Sequence, residues 1–263
     1  MKALQSRDNP RLKLLQRLVA RPRECRKAGV ALLDGVHLLT ALLDSGGAPE
    51  WGVVSAPALA RDEVAAAVAL AGSRGCEWFL LEEGLLRTVA PTQQPSGVLA
   101  LMPLPAKGRG RPAAGFALLL EDIQDPGNLG TLLRSAQAAG VTQVLLSRGC
   151  AEPWAPKVLR AGMGAHFGLR LFEDQDLPAF ARQQGGVLAA AADGALSAWQ
   201  ADLAQAGGVA IGNEGAGLSA ALRRACAAAV AIPLASGCES LNAAVAGSVL
   251  LFERARQRGT QNR

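Results

Sequence analysis

Short apolar runs alternate along the chain with segments in which apolar residues recur at helical spacing. Continuous runs of about four to eight apolar residues, bounded by glycine, proline or polar clusters, are typical of strands buried on both faces of an α/β sheet. This pattern predicts strands over 30–35, 51–56, 76–81, 97–104, 116–121, 143–147, 169–172, 186–191, 208–212 and 230–234.

Apolar positions at helical spacing predict helices between these strands in both halves of the chain. In the second half the predicted helices cover 129–139, 155–164, 177–184 and 217–227, and a final helix begins near Leu241. Strands and helices that alternate in this number indicate an α/β fold with a mostly parallel sheet covered on both faces.

Residues 103–115, PLPAKGRGRPAAG, interrupt the alternation. The segment has three prolines, several glycines and three basic residues without an apolar period, which is typical of a linker. It predicts a first domain over 1–105, a linker over 106–114 and a second domain over 115–263. A long surface loop within a single domain is the alternative.

The first predicted helix follows Asn9, which is suited to cap it, and begins at Pro10, a residue favoured at the first helical position. Leu12, Leu15 and Val19 form one apolar stripe. The stripe leaves the basic side chains of this helix for water or for a ligand.

Positive charge is concentrated in this region. The whole chain carries +5, whereas residues 1–27 alone carry nine Lys or Arg against two acids, so the rest sums to −2. A basic arm on a nearly neutral body indicates a polyanionic partner, most simply nucleic acid. The candidate phosphate contacts are Arg7, Arg11, Lys13 and Arg17. A solvated helix face is the alternative.

Other features of the sequence exclude several classes of protein. No apolar run reaches the ~18 residues of a membrane span, and the N-terminus lacks the apolar core of a signal peptide, so we expect a cytoplasmic protein with no membrane partner. Five cysteines without two-residue spacing and only two histidines predict no metal site.

Three predicted strand ends carry an unusual concentration of glycine and polar residues. They are DPGNLGTLLR at 125–134, AIGNEGAGLS at 210–219 and AIPLASGCESLN at 231–242. Ligands of open α/β sheets bind outside the carboxyl ends of the strands, so these segments are candidate parts of one site. The glycine spacing of dinucleotide-binding turns, the phosphate-binding G-x-x-x-x-G-K-[ST] loop and the G-x-S-x-G hydrolase elbow are all absent.

Together the three segments resemble the signature motifs of the SpoU (TrmH-like) family of RNA ribose 2′-O-methyltransferases, in the SPOUT superfamily. The family motifs have the forms N-x-G-x-x-x-R-[ST]-A, G-x-E-x-x-G-[LI], and I-P followed by S-L-N-x-x-x-A. Every defining position is matched, by Asn128, Gly130, Arg134, Ser135 and Ala136, by Gly212, Glu214, Gly217 and Leu218, and by Ile232, Pro233, Ser240, Leu241, Asn242 and Ala246. The resemblance covers about 114–254.

The resemblance implies a fold and an activity. The second domain is expected to be a SPOUT-type parallel sheet with a trefoil knot, preceded by a smaller N-terminal α/β RNA substrate-binding domain similar to a ribosomal-protein fold. The implied activity is methyl transfer from S-adenosylmethionine to a ribose 2′-hydroxyl of RNA, rRNA in preference to tRNA, by a homodimer formed through the catalytic domain. A tRNA methyltransferase and a non-catalytic RNA-binding or ribosome-assembly protein are the alternatives.

The resemblance also implies the site residues. The catalytic set is Arg134, Asn128, Glu214, Ser240 and Asn242, and the cofactor slot is Ile211, Gly212, Asn213, Ile232, Leu234 and Leu241. The family proposal treats Arg134 as a base, but a guanidinium stays protonated at neutral pH. We therefore expect Arg134 to bind the neighbouring phosphate and to activate the hydroxyl electrostatically. Glu214 is expected either to hold Arg134 or to accept from the cofactor region.

Overall fold

The computed structural model describes residues 1–21, 23–92, 94–105 and 112–261, so most of the predicted linker lies outside the described residues. The chain forms two compact units. The small unit comprises Met1–Pro105 and Glu152–Phe167, and the large unit comprises Ala106–Ala151 and Gly168–Arg263. A segment inside the range predicted for the second domain therefore packs with the first.

The strands are β1 (Lys2–Leu4), β2 (Val30–Asp34), β3 (Trp51–Val54), β4 (Glu77–Leu81), β5 (Val98–Pro103), β6 (Ala117–Leu120), β7 (Gln143–Leu146), β8 (Arg170–Phe172), β9 (Val187–Ala190), β10 (Leu196–Ser197), β11 (Gly208–Ile211) and β12 (Ala228–Ala231). The helices are α1 (Pro10–Ala20), α2 (Arg23–Ala28), α3 (Val36–Asp44), α4 (Ala56–Leu59), α5 (Asp62–Ser73), α6 (Glu83–Val89), α7 (Pro126–Ala138), α8 (Pro156–Gly162), α9 (Leu177–Gln184), α10 (Ala220–Ala225) and α11 (Ala243–Gln261), with a 3-10 turn at Ala165–Phe167.

The small unit has a mixed sheet in the order β1-β4-β3-β5-β2, with β5 antiparallel to both of its neighbours. Helix α1 packs on this sheet, and the side chain of Asn9 caps it by accepting from the amide of Arg11 at 2.9 Å. The helix buries Leu12, Leu15 and Leu18, whereas Val19 is only partly buried. All three residues of the predicted apolar stripe therefore face the core, and the stripe left out Leu18, which is fully buried.

Residues 152–167 complete the small unit from a distant part of the chain. Helix α8 packs against β2. Just before it, Glu152 forms an ion pair with Arg26 of α2, with 3.1 Å between Nη2 of Arg26 and Oε1 of Glu152. The rings of Trp154 and His166 are buried and lie 5.3 Å apart. Burial lowers the pKa of His166 to about 4, so this ring is neutral at physiological pH.

The large unit has one parallel sheet in the order β10-β12-β9-β11-β6-β7-β8. The predicted α/β fold and parallel sheet are confirmed, and the trefoil knot stays a prediction. Four-residue strands such as β6 and β11 are buried throughout, as expected for a parallel sheet covered on both faces. Within the described residues, no helix combines the length and apolar character needed to cross a bilayer.

Several predicted boundaries were wrong. The short edge strands β1 and β10 were missed, because runs of two or three residues leave no clear period. Strand β12 ends at Ala231 instead of residue 234, since the following Ile232-Pro233 pair begins a loop and proline cannot donate to a sheet. Helix α11 begins at Ala243, two residues later than predicted, because Asn242 caps it.

Candidate active site

The three polar segments follow strands whose carboxyl ends share one edge of the parallel sheet. Strand β6 precedes the first segment, β11 the second and β12 the third, and β11 lies directly beside β6. Strand β9 separates β11 from β12. Because all these strands run parallel, segments far apart in sequence meet at one edge, which is where ligands of such sheets bind.

The first segment is helical earlier than the sequence pattern predicted. Asp125 caps α7 by accepting from the amide of Asn128 at 2.8 Å, and Pro126 occupies the first position of the helix. Asn128 therefore lies in the first turn of the helix. Arg134 lies in the third turn, about 12 Å along the helix from its first residue.

Hydrogen bonds between side chains connect the three segments in one direction. The amide of Asn242 donates from Nδ2 to Oδ1 of Asn128 at 3.0 Å, and Nδ2 of Asn128 donates to Oε1 of Glu214 at 2.7 Å. Oδ1 of Asn242 accepts in turn from the amide of Ala244, at the start of α11. Because every donor points towards Glu214, the bonds polarise one another and end on the carboxylate.

The glycine-rich bend after β11 is shaped by Asn213. Its Oδ1 accepts from the amides of Gly215 and Ala216 at 2.9 and 3.0 Å, and its Nδ2 donates to the carbonyl of Asp122 at 3.0 Å. A Cβ at Gly212 would collide with the backbone of Gly217, so the close return of the chain requires glycine at that position. The bend holds Glu214 in reach of Asn128.

A cavity lies beside this cluster. All six predicted cofactor residues line it, namely Ile211, Gly212, Asn213, Ile232, Leu234 and Leu241. Glu214 and Ser240 of the predicted catalytic set line it as well. The structure thus brings these eight predicted residues to one cavity, with Glu214 as its one charged lining residue among those described.

The sequence reasoning missed one wall of this cavity, which is formed by residues 190–192 at the end of β9. Three alanines carry no polar group, so nothing in their chemistry marks them as part of a site. The available signal was positional, since β9 was itself predicted and a strand between β11 and β12 must end at the same edge.

Arg134 is not part of the hydrogen-bonded cluster. Its side chain is exposed, and in the described part of the chain it makes no hydrogen bond or ion pair, either with Glu214 or with Asn242. Its helix is nevertheless fixed, because Ser135 bonds Ser248 of α11 at 2.7 Å. The arrangement leaves the guanidinium available to an anionic ligand. The expected contact between Glu214 and Arg134 is not formed, and Oε1 of Glu214 accepts from Nδ2 of Asn128 instead.

The four predicted RNA contacts of the small unit differ in their surroundings. Arg11 pairs with Glu77 at 2.7 Å and stacks 4.3 Å from the centre of the Phe79 ring. Lys13 pairs with Asp8 at 2.8 Å, and that ion pair lowers the pKa of the Asp8 carboxyl. Arg7 and Arg17 are exposed, with no ion pair to any described residue.

Two of the cysteines, Cys25 and Cys76, are buried. Burial raises the pKa of Cys76 to about 12 and that of Cys25 to about 11, which opposes formation of the thiolate that metals bind. Among the described residues, no group of three or more His, Cys, Asp or Glu side chains could hold a metal ion.

Comparison with known proteins shows what the chain resembles over its full length. An uncharacterized tRNA/rRNA methyltransferase of Synechocystis is 35% identical over 97% of this chain and 94% of its own. The Bacillus subtilis 23S rRNA (guanosine(2553)-2′-O)-methyltransferase RlmP is 30% identical over 96% and 98%. The crystal structure of an AdoMet-bound rRNA methyltransferase from Sinorhizobium meliloti, 27% identical, superposes over 97% of both chains with a TM-score of 0.84.

Two family models match separate parts of the chain. Residues 9–100 match the MRM3-like substrate binding domain. Residues 115–252, which contain all three polar segments, match the SpoU rRNA Methylase family. The chain therefore belongs to the SpoU rRNA methylase family.

Proposed function

We propose that this protein transfers a methyl group from S-adenosylmethionine to a ribose 2′-hydroxyl in the rRNA of the large ribosomal subunit. The observation that carries the proposal is the joining of Asn128, Glu214 and Asn242 beside a cavity lined by every residue expected to hold the cofactor. The relative RlmP is a 23S rRNA (guanosine(2553)-2′-O)-methyltransferase, and the similarity covers 98% of that enzyme. This relative supports both the ribose and the large-subunit rRNA as substrate.

The cavity suits S-adenosylmethionine chemically. Ile211, Ile232, Leu234 and Leu241 supply apolar walls for the adenine, and backbone groups of the glycine-rich bend supply hydrogen bonds. The one charged lining residue in the described set, Glu214, is an anion, which complements a ligand that carries a sulfonium. When bound, the cofactor supplies an electrophilic methyl group.

Arg134 is assigned to the phosphate beside the target ribose. A ribose hydroxyl is a weak nucleophile next to a phosphodiester anion, and a planar guanidinium binds phosphate with two parallel hydrogen bonds. Its side chain is exposed and has no ion pair with any described residue, so RNA can bind it without breaking such a pair. In this position the charge of Arg134 stabilises the oxyanion that develops on the hydroxyl.

The hydrogen-bonded cluster of Asn242, Asn128 and Glu214 is placed to orient the ribose hydroxyl that accepts the methyl group. The side-chain amide of Asn128 accepts from Asn242 and donates to Glu214, so it cannot rotate without breaking both hydrogen bonds. We assign Asn128, Asn242 and Ser240 to orienting the hydroxyl, and Glu214 to holding Asn128 in place. Arg134 keeps its proton, so the hydroxyl proton passes to solvent water late in the transfer, as the new oxygen–carbon bond forms.

The same proposal includes a homodimer through the large unit. Helix α11 exposes Val245 and Phe252, at 49% and 51%, with the partly buried Val249 between them on one face. An apolar stripe along one helix face suits a contact with a second copy of the chain, because contiguous exposed apolar patches mark protein interfaces. Phe252→Glu should convert a dimer to a monomer, as measured by sedimentation velocity at micromolar concentration, whereas a monomeric wild type would contradict the proposal.

The decisive experiment is tritiated methyl transfer to unmodified 23S rRNA, followed by mapping of the methylated ribose. Calorimetry with S-adenosylmethionine is run in parallel, because a non-catalytic RNA-binding protein would bind rRNA without binding the cofactor. Transfer to tRNA with no transfer to rRNA would overturn the substrate assignment and leave the chemistry in place.

A further inference from the structure

Helix α8 lies within residues 115–252, the part of the chain that matches the methyltransferase family, but it folds into the small unit. It packs on the edge strand β2. Its exposed face carries two cations, Lys157 and Arg160, which are three residues apart and therefore neighbours on the helix surface. In the part of the chain that the structure describes, neither side chain forms an ion pair.

The surroundings of α8 connect it to the basic helices at the start of the chain. Arg26 of α2 pairs with Glu152, just before α8. The charges of Lys27, Arg17 and Arg21 all lower the pKa of Glu24, so α1 and α2 present their cations close together. Helices α1 and α2 both contact β2, as α8 does.

These cations lie on or just after helices α1, α2 and α8, which all contact β2, and we call them the basic band. Its members are Arg17, Arg21, Arg26, Lys27, Lys157 and Arg160. Three acids of the described residues lie beside them. Glu24 pairs with Lys27 and Glu152 with Arg26, whereas Asp34 accepts from the hydroxyl of Ser96 at 2.8 Å. Burial raises the pKa of the Asp34 carboxyl, and the charge of Arg160 opposes that rise without forming an ion pair. Four exposed cations are left without an ion-pair partner among the described residues.

We propose that Lys157 and Arg160 bind phosphates of the substrate RNA, so that the RNA-binding surface of the small unit is built from two distant parts of the chain. The inference rests on the proposed function for its ligand. Phosphate contacts fix the position and orientation of a nucleic acid without reading its sequence. A helix that belongs to the methyltransferase sequence thereby contributes to holding the RNA.

The test compares two full-length variants that each lose two positive charges. Lys157→Gln with Arg160→Gln removes the α8 pair, and Arg182→Gln with Arg224→Gln removes two exposed arginines from α9 and α10 of the large unit. Binding of unmodified 23S rRNA is measured by filter binding from about 50 to about 200 mM salt, the range over which phosphate contacts make the affinity depend steeply on salt. Circular dichroism and S-adenosylmethionine calorimetry verify fold and cofactor binding.

We expect the α8 variant to bind rRNA about tenfold more weakly at low salt and to reduce the slope of log K against log salt by about 1.4 to 1.8, the value for two lost contacts. Lys157→Gln alone should give about half the change in slope. A slope equal to that of the control pair overturns the proposal. If the wild type binds and methylates rRNA while the α8 variant is unchanged, only this inference fails; if the wild type does neither, the proposed function fails with it.

Discussion

The predicted catalytic residues of the large unit and the predicted RNA contacts of the small unit differ in whether the structure joins them by hydrogen bonds. In the large unit, Asn128, Glu214 and Asn242 come from segments 86 and 114 residues apart and are joined by hydrogen bonds. In the small unit, two of the four predicted RNA contacts, Arg11 and Lys13, are neighbours in sequence and are bound to different acids. Residues close in sequence are therefore separated by their contacts, whereas residues far apart in sequence are joined.

The difference follows from the elements that carry the residues. Parallel strands deliver whatever follows them to one edge, so the three polar segments of the large unit converge by topology. A surface helix directs its side chains around its whole circumference, and each cation then pairs with whichever acid is near. Arg11 meets Glu77 and the Phe79 ring, and so is partly structural.

The strongest test of the convergent site concerns Arg134. Arg134→Ala should retain the fold and S-adenosylmethionine binding but reduce methyl transfer by at least ~10²-fold, the effect of removing one preorganised electrostatic donor. Arg134→Lys should restore little, because a point charge does not reproduce the planar fork. Tritiated methyl transfer measured against pH checks both; near wild-type turnover in Arg134→Ala, or full rescue by lysine, would exclude the mechanism.

The cofactor slot is tested at Leu234, which lines the cavity. Leu234→Asp places a carboxylate against an apolar wall and should abolish S-adenosylmethionine binding, since burial of an unpaired charge is costly. The matched control is Ala235→Asp, because Ala235 is exposed and absent from the cavity lining. Calorimetry that finds equal cofactor affinity in folded Leu234→Asp and in wild type would show that the slot lies elsewhere.

The smallest expected effect separates two arginines of α1. Arg11→Ala removes the ion pair with Glu77 and the stacking on Phe79, and should lower the free energy of unfolding by about 1 kcal/mol with little change in RNA affinity. Arg17→Ala should do the reverse, reducing the salt slope of RNA binding by about 0.7 to 0.9 without loss of stability. Chemical denaturation and filter binding measure the two effects, and equal behaviour of both variants would remove the distinction between them.

Much of this architecture was predictable from the sequence. Apolar runs located ten of the twelve strands in the described residues because buried strands leave a continuous signal, and the resemblance of the three motifs to the SpoU family implied the residues that line the cavity. Strand β10, with two residues, left no such signal. The wall at 190–192 was missed because alanine carries no chemistry that marks a site.

Other features depend on contacts that no local pattern encodes. The hydrogen bond between Asn128 and Glu214 requires the glycine-rich bend after β11 to hold Glu214 next to Asn128. Asn213 fixes the bend, because its side chain bonds both the carbonyl of Asp122 and the amide of Gly215. The pairing of Arg11 with Glu77 joins residues 66 positions apart. In both cases the sequence contains the two residues, but it does not show that they lie within hydrogen-bond distance of each other in the fold.

The position of α8 also determines the order in which the protein is completed during its synthesis. Residues 1–105 leave the ribosome first, but the segment Glu152–Phe167, which carries α8, is finished only 62 residues later. At about 5 to 20 residues per second this delay is roughly 3 to 12 s. During that interval β2 lacks its α8 neighbour, and Arg26 lacks the Glu152 carboxylate. The small unit begins first, but it cannot be finished until more than a third of the methyltransferase family region has been translated.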